Sequence, residues 1–425
     1  MAVNRKKLGA LLCVLAVTAA AAGTAAASHS GTPGVSKKQI VIGGTFPFTG
    51  FASAYKTIPT AELAYFGYVN AHGGVNGRKI KDIQLDDAYN PAETVPDVHQ
   101  LVEQDHVFAV VGSLGTAPGL STWAYLNQNK VPQVLLATGD AYWGNCIHRA
   151  CDKTGIKKSW TTGWQPDYPG EAKLYAKYIL QQKPNAKIGV LYQNDAYGKN
   201  YLTGLKTGLG SHANQIVDAE PYNFGDSAQV VIGHVGALEA HGADTFVIFA
   251  TPTAAGQALY GESAVLHWSP LTILNNVSAN RVFMLSYGQA GASLNNIVST
   301  TYIQSQTVTP NSKGMKLAKA IIASTGNTGL EQDFAAGDNN LVYGFGVAYT
   351  FVDALKHAGK NPTRASFMRA LRHLDEKSNP FVYPGMTVQM SKTRAFPMEQ
   401  LIFEKWSGGG TGDWKTFGKV LNSGH

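Results

Sequence analysis

The chain has 425 residues, 44% hydrophobic and 15% charged, with a formal net charge of +7. That length and apolar content supply cores for two or three domains and exclude a disordered chain. The positive charges do not cluster beyond the N-terminus, so nothing points to nucleic acid as a partner.

Residues 1–27 read as a secretory signal peptide. Arg5, Lys6 and Lys7 form its basic end, Leu8 to Val17 its apolar segment, and Ala25 to Ala27 its small-residue cleavage site, so that the mature chain begins at Ser28 with a net charge of +4. Cys13 follows Leu12 rather than a small residue, and lipidation is not expected. No other run approaches the length of a membrane span, which predicts a soluble periplasmic or extracellular protein. Cys146 and Cys151 then lie in an oxidising compartment, where a short disulfide loop is expected. His148 between them gives a CxHxxC spacing, but a fourth ligand is missing, and neither a metal nor a cofactor is predicted.

Residues 28–38 form a loose lead-in, and the fold starts at Gln39 with a strand through Ile40, Val41 and Ile42. A helix from about Thr60 carries Leu63, Ala64, Tyr65 and Tyr68 and stops at Gly73-Gly74. After the Asn76-Gly77 turn, the strand Ile80 to Leu85 ends at Asp86-Asp87. Asn90 and Glu93 are spaced as a capping box, with Pro96 delaying the helix to about Thr94. Phe108 to Val111 form a short buried strand that stops at Gly112. Ser113, Leu114, Gly115 and Thr116 lead from it into a helix through Leu120, Trp123 and Leu126, with Thr116 as N-cap. The strand Gln133 to Leu136 ends in Ala137, Thr138, Gly139 and Asp140. Both loops follow the carboxyl ends of parallel strands and so face one crevice: the first suits a carboxylate, and the second offers carbonyls, a hydroxyl and an acid.

Residues 160–164 show no periodic element and read as a crossing between domains. A second alternating series follows: helix Gly170 to Gln182, strand Lys187 to Tyr192, helix Asn200 to Leu209, a strand near Ile216, helix Ser227 to Ala240 and strand Thr245 to Phe249. Such alternation predicts parallel sheets with right-handed crossovers, hence an α/β protein of two Rossmann-like lobes. Near Val298 to Tyr302 the chain crosses back, so the helices from Asn340 and Thr363 belong to the first lobe. A hairpin, Leu401 to Phe403 with Trp414 to Val420, belongs to the second.

Enzyme signatures are missing. There is no G-x-S-x-G or H-E-x-x-H, and Gly408 to Gly410 lack the strand-to-helix context of a phosphate loop. His99 and His106 with Glu103 read as a solvated helix face. A secreted hydrolase is therefore the weaker reading.

The run from Gly73 to Ile80 (GGVNGRKI), followed by Asp86-Asp87, Val110-Val111-Gly112 and Gln193 to Gly198 (QNDAYG), resembles the extracytoplasmic solute-binding proteins of branched-chain amino-acid ABC transporters. The resemblance runs from about Lys38 to the C-terminus. It implies a type I periplasmic-binding-protein fold whose two lobes are joined by a three-strand hinge near Trp160 to Trp164, Thr300 and Phe396. Lobe 1 would comprise residues 39–160 and 300–395, and lobe 2 residues 161–299 and 396–425. It further implies a monomer, not an enzyme, that captures a small solute and delivers it to a membrane permease with its ATPase. Carried over by position, the carboxylate loop falls on Ser113 to Thr116, the ammonium loop on Ala137 to Asp140, and the flanking aromatics on Tyr55 and Tyr197. A later second-lobe aromatic is replaced near Thr251, and the acid facing the ammonium is replaced within Asn275, Asn276, Val277 and Ser278, with Asp140 as the candidate substitute. Phe51, Tyr142 and Trp143 are expected to add aromatic surface. The expected ligand bears a carboxylate: a hydrophobic amino acid or a related organic acid. A sensor ectodomain of the same fold is the alternative.

Overall fold

In the computed structural model, residues 31–144, 155–391 and 396–423 are described. From Thr32 onward the chain forms one compact unit. The signal segment, Cys146 and Cys151 lie outside the described residues.

The first sheet begins with β1 (Gln39–Phe46), whose Ile40 and Ile42 are buried. α1 (Thr57–Ala71) starts three residues before the predicted Thr60 and leads to β2 (Lys79–Asp86). α2 (Pro91–His99) begins at its proline, because Asn90 caps Ala92 N–H and proline at the first helical position needs no donor. Pro96 is accommodated inside this helix, which corrects the expected start near Thr94. β3 (Val110–Val111), α3 (Thr116–Gln128) and β4 (Gln133–Leu136) follow. β5 (Thr161–Gly163) is a short edge strand in the stretch read as lacking any element. The order is β2-β1-β3-β4-β5, all parallel.

The chain then enters the second sheet. α4 (Tyr168–Gln182), β6 (Ile188–Gln193), α5 (Ala196–Leu209), β7 (Ile216–Tyr222), α6 (Ala228–Ala240), β8 (Thr245–Phe249), α7 (Pro252–Tyr260), β9 (Leu271–Leu274), α8 (Arg281–Gln289) and β10 (Ile297–Thr301) alternate without a break. Helix starts are fixed by side-chain oxygens: Asp167 accepts from Gly170 N–H, Asp195 from Gly198 and Ser227 from Val230. β8 is buried throughout, as a central strand covered on both faces should be.

After β10 the chain returns to pack α9 (Lys313–Thr325), α10 (Thr328–Ala335), α11 (Asn339–His357) and α12 (Arg364–Leu371) on the first lobe, with the small pair β11 (Asp375–Glu376) and β12 (Val388–Gln389). α11 lies close against α1 because Gly344 has no side chain: a Cβ there would stand 2.3 Å from the Ile58 carbonyl. A third passage leads into β13 (Gln400–Ser407) and β14 (Asp413–Asn422), an antiparallel hairpin on the edge of the second sheet, ordered β14-β13-β10-β9-β8-β6-β7.

Candidate functional site

The loops after β3 and β4 are laced together before any solute is considered. Ser113 Oγ accepts from Thr45 N–H at 3.0 Å, Leu114 N–H donates to Thr45 O at 3.1 Å, and Ala137 N–H donates to Ser113 O at 3.0 Å. Gly115, not Thr116, is the N-cap of α3; its φ of 113° suits glycine, and a Cβ would meet the Tyr89 ring at 2.6 Å. Thr116 is the first helical residue, and its hydroxyl lies 2.6 Å from that of Thr138. Both threonine side chains are therefore spent on joining the two loops.

Asp140 is turned out of the crevice. Its carboxylate accepts from Tyr142 N–H at 2.7 Å and from Asn200 Nδ2 at 3.2 Å, while Ala141 N–H donates to Asn200 Oδ1 at 3.1 Å. It thus fastens a first-lobe loop to α5 of the second lobe. Burial raises its pKa to about 6, with Lys158 pulling the other way.

The crevice between the lobes encloses a cavity with about 730 Å³ of atom-free space, part of it shared with solvent. Leu114, Gly115 and Ala137 line it from the first lobe, with Tyr55 and Tyr89. Tyr197, Thr251, Asn276 and Val277 line it from the second. Residues on the passages between lobes, among them Gln165, Tyr168 and Thr300 to Ile303, form its floor together with Glu404 of β13. Asn340 and Tyr343 of α11 complete the wall. Of the residues singled out by position, Ser113, Thr116, Thr138, Gly139, Asp140 and Ser278 do not line the cavity. Ser278 Oγ instead donates to Ala250 O at 2.5 Å.

The lobes meet across this cavity. Tyr55 OH donates to Val277 O at 3.1 Å, and Asn280 Nδ2 donates to Asp338 Oδ1 at 2.6 Å. Phe51, 54% exposed, meets Phe224 edge-on at the rim instead of lining the cavity. Trp143 is buried in a separate cluster with Trp123 and Phe396, which Tyr142 joins. Tyr89, Tyr168, Tyr302 and Tyr343 supply the aromatic surface expected from those residues. Under the cavity, Glu171 accepts from Tyr175 OH at 2.6 Å, Tyr201 OH at 2.8 Å and Asn276 N–H at 2.9 Å, which fixes the second-lobe loop; burial raises its pKa to about 7. His99 and Glu103 form an exposed pair at 2.8 Å away from the cavity, and among the described residues no cluster of metal-ligating side chains occurs.

Two α/β lobes that meet over a cavity at the carboxyl ends of their strands, with the chain passing between them three times, define a bilobal solute-binding protein. The chain belongs to the periplasmic binding protein family, whose sequence pattern matches residues 39–411. That family is a class of extracytoplasmic solute binders rather than enzymes. Among curated relatives, an amino acid binding protein of Pseudomonas aeruginosa is 35% identical over 144 residues, 33% of this chain and 35% of that protein. A Leu/Ile/Val-binding protein homolog of Brucella melitensis is 28% identical over 176 residues, 40% of this chain and 44% of that protein. The chain thus matches less than half the length of each. In fold it is similar to a branched-chain amino-acid ABC transporter protein of Thermus thermophilus with bound valine, at TM-score 0.77 and 16% identity over 91% of this chain and 97% of that one. A fatty acid ABC transporter substrate-binding protein of Thermomonospora curvata gives TM-score 0.74 and 18% identity, with 92% and 94% covered. The periplasmic solute-binding proteins are therefore the class to which this chain is assigned.

Proposed function

We propose that the protein is exported by a cleaved signal peptide, captures a small carboxylate-bearing solute in the interlobe cavity, and delivers it to an ABC permease. The observation that carries this reading is the cavity itself, closed between the lobes and walled by Leu114, Gly115 and Ala137 on one side and Asn276 and Val277 on the other. Its atom-free space of about 730 Å³, part of it shared with solvent, suits an amino acid or a small organic acid. Among the described residues no lysine or arginine lines it, so neutral donors hold the carboxylate in this reading. The N-terminus of α3, which no side chain caps, lies beside Gly115, and the buried Asn340 Nδ2 has no hydrogen-bond partner among the described residues. The tyrosine-rich walls suit a hydrophobic body. The passages near residues 163–167, 302–305 and 396–400 serve as the hinge, with the lobes divided near residues 160, 300 and 395.

Thermal-shift screening followed by calorimetry tests the ligand class. Carboxylates should bind and their methyl esters should not; a best solute without any carboxylate would overturn the reading.

A further inference from the structure

Among the described residues, Glu404 is the only charged side chain on the cavity wall. It lies on β13, paired with Ser299 of β10 and Thr416 of β14, and is 5% exposed. Its carboxyl group has no hydrogen-bond or ion-pair partner among the described residues. Burial and the nearby Asp413 both push its pKa well above the ordinary carboxylate range. A small second cavity behind it is lined by Arg281 and Asp413, but that guanidinium is committed: its Nε lies 3.3 Å from Asp413 Oδ2 and its Nη1 donates to Ala336 O at 2.5 Å.

A buried carboxyl group without a partner is costly in an empty site, and a cation placed beside it relieves that cost. We propose that Glu404 reads a positive charge on the solute, so that the cavity takes a solute carrying a protonated amine as well as a carboxylate. The role falls on β13, an element distinct from the second-lobe loop of Asn275 to Ser278 and from Asp140, which is held by Asn200 outside the cavity. The inference rests on the proposed solute-binding role of the cavity but not on the carboxylate part of that reading.

The test is calorimetry at pH 7 on wild type and Glu404→Gln, using leucine and phenylalanine, their counterparts lacking the amine (4-methylpentanoate and 3-phenylpropanoate), and those lacking the carboxylate (3-methylbutylamine and 2-phenylethylamine). Wild type should bind at least one amino acid ten-fold or more tighter than its amine-free counterpart, and Glu404→Gln should remove that preference while leaving the amine-free acid as tight or tighter. The wild-type ratio is informative even if the variant fails to fold. Amines that bind without the carboxylate, in a Glu404-dependent way, would sustain the inference while overturning the carboxylate reading. Amine-free acids that bind as tightly as the amino acids, no binding by any amine-bearing compound, or a preference unchanged in Glu404→Gln would overturn the inference.

Discussion

Tyr55 and Val277 stand on opposite lobes, so their 3.1 Å hydrogen bond forms only when the lobes are closed. Tyr55→Phe should therefore weaken solute binding through closure, by about 0.5–1.5 kcal/mol or roughly 2- to 10-fold in Kd, measurable by calorimetry. Thr116→Ala should act on stability instead: losing the bond to Thr138 costs about 1 kcal/mol in a denaturant titration, with little change in Kd. Tyr55, Gly115 and Tyr197 were legible as candidates because the carried-over positions fall on them, and all three line the cavity. Thr116 and Asp140 show the limit of such reasoning. A sequence reveals that a hydroxyl or carboxylate stands at a strand end, not whether a neighbouring loop or the other lobe has already claimed it. Glu404 was hidden by its setting: in Leu-Ile-Phe-Glu-Lys-Trp a lone acid reads as the wet side of an alternating strand, and only the packing of β10 and β14 around it encloses it.

Longer elements were read correctly where apolar spacing and caps agreed, as in α4, α6 and α11. β5 was missed because three residues cannot display a period; its strand character comes from pairing with β4. α2 starts at Pro91 and not near Thr94 because the cap at Asn90 outweighs the break expected from Pro96. The packing of α11 on α1 gives an element-scale prediction. Gly344→Ala would drive a methyl group into the Ile58 carbonyl, and such overpacking costs about 1–3 kcal/mol, which a shift of the urea midpoint without a change in slope would reveal.

At the scale of the whole molecule, buried carboxyl groups govern the response to pH. Burial raises the pKa of Asp87, Asp140 and Asp338 to about 6, of Asp82 and Glu171 to about 7, and of Glu262 and Glu376 to about 8. The folded chain therefore binds more protons than the unfolded chain between about pH 4 and 8, and its stability falls as pH rises through that window. Tm should be higher near pH 5.5 than near pH 8.5; the opposite order would contradict this assignment. Asp140 and Asp338 also bridge the lobes, so the same titration bears on closure. Capture between the lobes is the central claim, and a crystal structure with the solute that most raises Tm tests it most directly. The account predicts density between Gly115 and Ala137 on one lobe and Asn276 on the other, with the amine against Glu404. A solute seated instead in the open groove between α6, α7 and α8, with the interlobe cavity filled only by water, would contradict it.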